Sequence, residues 1–183
     1  MLKKICFVLA FGVLAIVGAL AQDARVELAG HFNYFGGNDE APQFMGVGLR
    51  LVKLFAPHWG YVVGANYGRS LQSNIQINGR NALLVTDHFT GFEPGVAYHG
   101  GEGMRGFMAD LLLRAGMQHS RETYAGIADA KRRYFHIGPE LGLGFNAAIA
   151  EGWLIGGRAG LGLFVGDIGY ARISGGISVS KTF

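Results

Sequence analysis

The chain has a single cysteine, Cys6, only four prolines, and no long unbroken apolar run after Leu20. Each scarcity excludes something. Cys6 sits inside the amino-terminal leader described below. Without it there is no disulfide, thiolate metal site or cysteine nucleophile, and the fold must stand without staples. Charged residues are 16% of the chain and neither sign forms a run longer than three. Removing Lys3 and Lys4 from the 16 Lys and Arg leaves 14 against 13 Asp and Glu, a net of +1. Nucleic acid is therefore not an expected partner. The residues AVILMFWYC make up 50% of the sequence. A soluble protein this apolar usually shows continuous buried segments, whereas here the apolar residues are spread at period two.

The amino terminus reads Met1-Leu2-Lys3-Lys4, then an apolar run from Ile5 to Leu20, then Ala19-Leu20-Ala21 before Gln22. A basic start, a hydrophobic centre and a small-residue cleavage site predict a secretory signal peptide over 1–21. A retained anchor helix is the competing reading, but the run is short against the roughly 20 residues a span needs. Cys6 sits at the start of the apolar run instead of after it, which argues against a lipoprotein. The expected mature domain is 22–183.

Within it, period two dominates. The first strand, about 23–35, sets Val26, Leu28, Gly30 and Phe32 against Arg25, Glu27 and His31. Further strands are expected at about 44–54, 59–68, 90–98, 105–118, 133–146, 153–164 and 170–183, eight in all. Phe89 breaks the parity of the fourth, which predicts a bulge or a strand running past the membrane there. Longer polar loops are read at 70–83 and 119–132, and tight turns at Pro57, Gly100 and Ala150. In most strands the charges share a face with the glycines, and the opposite face is mostly apolar. A lipocalin-like soluble barrel would show the reverse sidedness. Lipid-exposed strands cannot keep a free edge, because unpaired backbone groups in hydrocarbon cost several kcal/mol each. The expectation is an all-β, eight-stranded antiparallel up-and-down transmembrane barrel.

Aromatic residues gather at both ends of these strands. One predicted girdle holds Trp59, Tyr61, Tyr98, Phe107, Phe145, Trp153 and Phe183 on the tight-turn side. The other holds Tyr34, Tyr67, Phe135 and Tyr170 on the long-loop side. The inward face is predicted to carry Arg25, Glu27, His31, Arg50, Glu93, Asp110, Arg114, His136, Glu140, Arg158 and Arg172. Five arginines against four carboxylates read as an internal ion-pair network filling a cylinder just wide enough for side chains. The alternative is a narrow charged conduit. Inward glycines are expected to make room for the arginines.

The last strand alternates to the final residue: Ile173, Gly175, Ile177, Val179, Lys181, Phe183 against Arg172, Ser174, Gly176, Ser178, Ser180, Thr182. A terminal Phe closing such a strand resembles bacterial outer-membrane barrels, in which that residue is part of the signal read by the barrel-assembly machinery. Lys181 stands where that family prefers an apolar residue. From Ala24 to Phe183 the pattern is similar to the small outer-membrane protein X and W types and the opacity-type barrels. The W type implies a channel for small apolar molecules, whereas the charged lumen sits closer to the X type, which implies a structural, adhesive or surface-interaction role. The resemblance implies residence in the bacterial outer membrane among lipids and lipopolysaccharide-like glycolipid, with a host or surface ligand at the loops. Arg80, Arg121, Lys131, Arg132 and Arg133 are the candidate contacts to phosphates or other polyanions.

No cofactor or metal site is expected, and the chain reads as a non-enzyme. Barrels of this size include lipid A-modifying enzymes, and His119-Ser120 with Glu122, or Asp87-His88, would be the residues to test. Adjacent strand residues point to opposite faces, so His119 and Ser120 are not placed to act together.

Overall fold

The computed structural model describes residues 23–36, 43–70, 73–77, 80–124, 130–167 and 169–183, with side chains described for 23–33, 45–69, 92–118, 133–167 and 169–183. The expected leader, 1–21, lies outside the described residues. Among the described residues ten strands follow in order: β1 Ala24–Gly36, β2 Gln43–Ala56, β3 Trp59–Ser70, β4 Ser73–Ile77, β5 Arg80–Phe92, β6 Gly95–His99, β7 Gly106–Tyr124, β8 Ala130–Ala150, β9 Trp153–Gly166 and β10 Tyr170–Thr182. Each pairs antiparallel with its neighbours, and β1 pairs with β10, so the sheet closes.

Two of the ten do not add staves. β5 and β6 are one stave interrupted at Glu93-Pro94. There Glu93 still exchanges backbone hydrogen bonds with Gly64 at 3.2 and 2.9 Å, and the Pro94 carbonyl accepts from the Leu113 N–H at 2.8 Å. β4 folds back on β5 as a hairpin above the wall. The result is a closed eight-stranded up-and-down barrel. Proline explains the interruption, since it has no N–H to give to a ladder. Pro139 likewise falls in a gap where β8 loses its pairing to β9 between Ile137 and Glu140.

The expected long loops at 70–83 and 119–132 are corrected. Residues 73–77 and 80–92 are strand, so the fourth stave begins at Arg80, ten residues before its expected start. β7 runs on to Tyr124 and β8 starts at Ala130. β8 has 21 residues, about twice the roughly 9–11 that a tilted strand needs to cross a bilayer. One side of the barrel, β4-β5-β7-β8, thus rises as a sheet beyond the rest of the wall. The parity break near Phe89 marks that transition. β5 shifts register against β7 between Thr90 and Phe92.

The opposite end is turned tightly. Pro57-His58 joins β2 to β3, Glu102–Met104 forms a one-turn 3₁₀ segment between β6 and β7, and Glu151-Gly152 joins β8 to β9. Gly152 has φ +66°, the left-handed region that glycine enters without steric cost. A side chain there would also meet Lys181 Nζ.

The distribution of burial is inverted relative to a water-soluble protein. Ile177 is 72% exposed, and Leu163, Leu28 and Leu161 also stand on the outer surface. Arg172, Glu140 and His136 are 0% exposed inside.

Candidate functional site

Three layers fill the interior. At the tight-turn end Val52, Val62, Ala97, Met104, Leu112 and Leu154 form a closed apolar cluster. All come from inward positions near the turns, and Gly95 lets Leu112 lie flat against β6, because a Cβ at Gly95 would meet Leu112 Cδ2 at 2.6 Å. Above them sits a charged layer, and above that an aromatic one.

The charged layer holds most of the predicted inward set. Glu27 on β1 is within 3.2 Å of Arg25 and 3.7 Å of Arg50. Arg50 on β2 continues to Glu93 at 3.6 Å, and Arg114 on β7 joins Glu93 at 3.2 Å to Glu140 at 3.0 Å. Glu140 on β8 also accepts from Arg158 at 2.8 Å, from Ser174 Oγ at 3.2 Å, and from Arg172 through both Nε and Nη2. Arg158 reaches Asp110 with two further hydrogen bonds. One continuous chain of ion pairs therefore links β1, β2, the β5–β6 stave at Glu93, β7, β8, β9 and β10 across the barrel. In a low-dielectric interior each guanidinium requires such a partner, since an isolated buried charge costs several kcal/mol.

Glycines create the space. A Cβ on Gly142 would lie 2.2 to 2.4 Å from the guanidinium of Arg158, and one on Gly160 2.8 Å from both Arg158 Nη1 and Glu140 Oε1. His31 does not join the ion pairs shown. It lies against Gly46 and Gly48, where added Cβ atoms would be 2.7 Å from Nε2 and 3.7 Å from Nδ1. His136 is in the aromatic layer instead, edge-on to Phe164 and to Tyr170 with ring centroids 5.7 Å apart in each case.

Tyr170 corrects an expectation. It is not part of an outer girdle: its ring stacks on Phe164 at 5.1 Å inside the lumen, and Arg172 lies over the other ring at 4.7 Å from the Phe164 centroid. Its parity is that of Arg172 and Ser174, both buried and inward. Tyr67 and Phe135 do face outward on that side, and the Tyr34 side chain lies outside the described residues. At the tight-turn end Trp59, Tyr61, Phe107, Phe145, Trp153 and Phe183 are on the outer surface. Tyr98 is half-buried beneath Trp59 and His58, at 5.3 and 5.8 Å. Lys181 sits with this belt. Its ammonium is 5.4 Å from the Trp153 ring and donates to the Glu151 carbonyl at 3.3 Å, so the stem stays on the apolar wall while the charge reaches the rim.

Among the described residues, interior polar groups outside the predicted inward set include four with clear roles or deep burial. Asn66 donates to Glu93, Ser174 to Glu140, and Asn146 to the Met104 carbonyl at 3.2 Å, while His99 is fully buried near the turns. Each occupies an inward position, so strand parity was the available signal. Among the described residues no group of His, Cys, Asp and Glu converges as a metal site. The side chains of Asp87, His88, His119, Ser120 and Glu122 lie outside the described residues.

On the raised wall only backbone register is fixed for most residues. It sets Arg121 opposite Lys131, Ser120 opposite Arg132 and His119 opposite Arg133. Arg80 pairs with Ile77 at the tip of the β4–β5 hairpin.

No protein-family model and no curated protein matches the chain. Solved structures do. The attachment invasion locus protein Ail of Yersinia pestis aligns with TM-score 0.60 at 13% identity, covering 87% of this chain and 99% of Ail. A second Ail structure, in complex with the heparin analogue sucrose octasulfate, aligns at 0.55 and 14% over 86% of this chain and 96% of Ail. Neisserial surface protein A aligns at 0.51 and 10% over 88% of this chain and 98% of its own length. The fold is that of the small eight-stranded outer-membrane β-barrels. At these identities the likeness concerns architecture, and the lumen and the raised wall must be judged on this chain's own residues.

Proposed function

We propose that this protein is an integral outer-membrane barrel, exported by a cleaved leader, whose lumen is a structural plug and whose working surface is the raised β4-β5-β7-β8 wall. One observation carries the plug: the arginines and carboxylates of the charged layer are tied to one another across seven strands, with an apolar layer below and an aromatic layer above. The inverted burial supports the membrane, and Phe183, hydrogen-bonded through its N–H to the Ala24 carbonyl at 2.9 Å, is the expected assembly signal at the seam. The protein performs no catalysis in this reading.

The ligand class we assign to the raised wall is polyanionic: phosphates of lipopolysaccharide-like glycolipid or a sulfated host glycan. The β7–β8 register sets Arg121 opposite Lys131, two residues of like charge. Arg132 and Arg133 continue the basic stretch. A polyanion meets several positive charges along this stretch, and such contacts weaken with salt. The Ail structure with a heparin analogue supports this choice only as an architectural precedent.

Two measurements test it. Refolded mature protein in planar bilayers should give no discrete channel openings, and reproducible conductance would replace the plug with a pore. Heparin-column retention should fall on replacing Arg121, Lys131, Arg132 and Arg133 by Ala, with the folded, heat-modifiable band retained. Unchanged retention would remove the basic wall as the binding surface.

A further inference from the structure

The charged layer is not neutral. Among the described residues the lumen holds five guanidinium groups, of Arg25, Arg50, Arg114, Arg158 and Arg172, and four carboxylates, of Glu27, Glu93, Asp110 and Glu140. Every carboxylate is already engaged by at least one arginine. Donors remain over. Arg114 Nε and His31 Nε2 are buried without a hydrogen-bond partner. Both residues border a partly enclosed cavity of about 40 Å³, whose other walls include Glu27, Arg50, Glu93 and Ala29. One water needs roughly 10–15 Å³ of such volume, so the space admits a small ion with a water beside it. Asn33, also on the wall, has an unpartnered Oδ1 that such a water can serve.

We infer that this cavity is an anion site, taking one chloride-sized monovalent ion between Arg114, Arg50 and His31. The physical reason is the surplus guanidinium. An uncompensated buried charge costs several kcal/mol, and a bound counter-ion removes most of that cost without a further carboxylate. Arg114 is suited to the role because it is 3% exposed. Its two terminal nitrogens each meet a carboxylate, Glu93 and Glu140, and Nε is its one buried nitrogen without a partner. Linkage follows: an ion bound only by the folded barrel raises its stability with the logarithm of ion concentration, and saturably in site occupancy.

This rests on the plugged-lumen reading, and the two fail separately. The probes are chloride and bromide. Crystals of the refolded barrel grown in sodium bromide should show an anomalous peak in the cavity beside Arg114. The urea midpoint of the barrel in detergent should rise as chloride replaces gluconate at fixed ionic strength. Ala29→Asp, which places a carboxylate on the cavity wall, should abolish the chloride response, and Arg50→Gln, which balances the charges, should do the same. Equal midpoints in chloride and gluconate for the unmodified protein, with no bromide peak, would overturn the anion site and leave water as the filler. So would an undiminished chloride response in Ala29→Asp. Channel openings in the bilayer experiment would instead overturn the plug itself.

Discussion

Arg158 on β9 grips Asp110 on β7 across the whole width of β8, with Nε to Oδ2 at 2.7 Å and Nη2 to Oδ1 at 2.5 Å. The crossing is possible because the residue beneath it is Gly142, which pairs with Asp110 on one side and Gly160 on the other. A two-pronged arginine–carboxylate contact of this kind is among the stronger polar interactions available to a protein. Its existence depends on the absence of a methyl group.

Gly142→Ala therefore places a Cβ inside the volume of the Arg158 guanidinium. Overpacking of this size costs about 1–3 kcal/mol. Equilibrium urea unfolding in detergent should show that loss, while Gly30→Ala, where an added Cβ meets nothing within 4 Å, should leave the midpoint close to its original value.

Glu140 is the most heavily used carboxylate, with three arginines and Ser174 on its two oxygens. Glu140→Gln keeps the shape and removes the charge, leaving Arg172 with no carboxylate among the ion pairs shown. Removing one partner of a buried pair costs about 3–5 kcal/mol. The unfolding midpoint should drop accordingly, and pairing it with Arg172→Met should recover part of the loss. A midpoint unchanged by Glu140→Gln would show that the network is solvated in the folded barrel.

The lipid-facing wall makes a prediction of opposite dependence on environment. Leu111 on β7 and Leu143 on β8 are both outward, about half exposed, at mid-wall. Leu111→Arg should cost about 2–4 kcal/mol in lipid vesicles, where the charge meets hydrocarbon. Refolding yield in vesicles against urea reads this directly. A variant as stable as the parent in vesicles would mean that this wall does not face acyl chains.

Much of the architecture was legible because a bilayer enforces it. Lipid outside and packed ions inside give the two faces of each strand different chemistry, so Arg172 beside Ile173, or Glu140 beside Leu141, declares its side by parity alone. The partners were not legible: nothing in sequence says that Arg114 bridges Glu93 and Glu140, since that depends on the stagger of neighbouring strands. Residues 80–88 and 119–124 gave no strand signal because they lie in the sheet that rises past the rest of the wall and show no sustained alternation of apolar and polar residues. His-Ser-Arg-Glu-Thr then reads as loop. Tyr170 was misassigned when aromatic character at a strand end outweighed its parity with Arg172.

The seam between β1 and β10 has a kinetic consequence. Arg25 lies opposite Thr182 and Gly36 opposite Ala171, so the pairing that completes the cylinder joins the two extremes of the described chain. Contacts between such distant segments are slow to form, because loop-closure entropy is lost before any contact rewards it. Until β10 arrives, β1 presents a bare edge, which is a template for association with other chains. The sealing step sets the time over which the nascent barrel is vulnerable to aggregation, and shortening β10 prolongs that interval even where every other strand is intact.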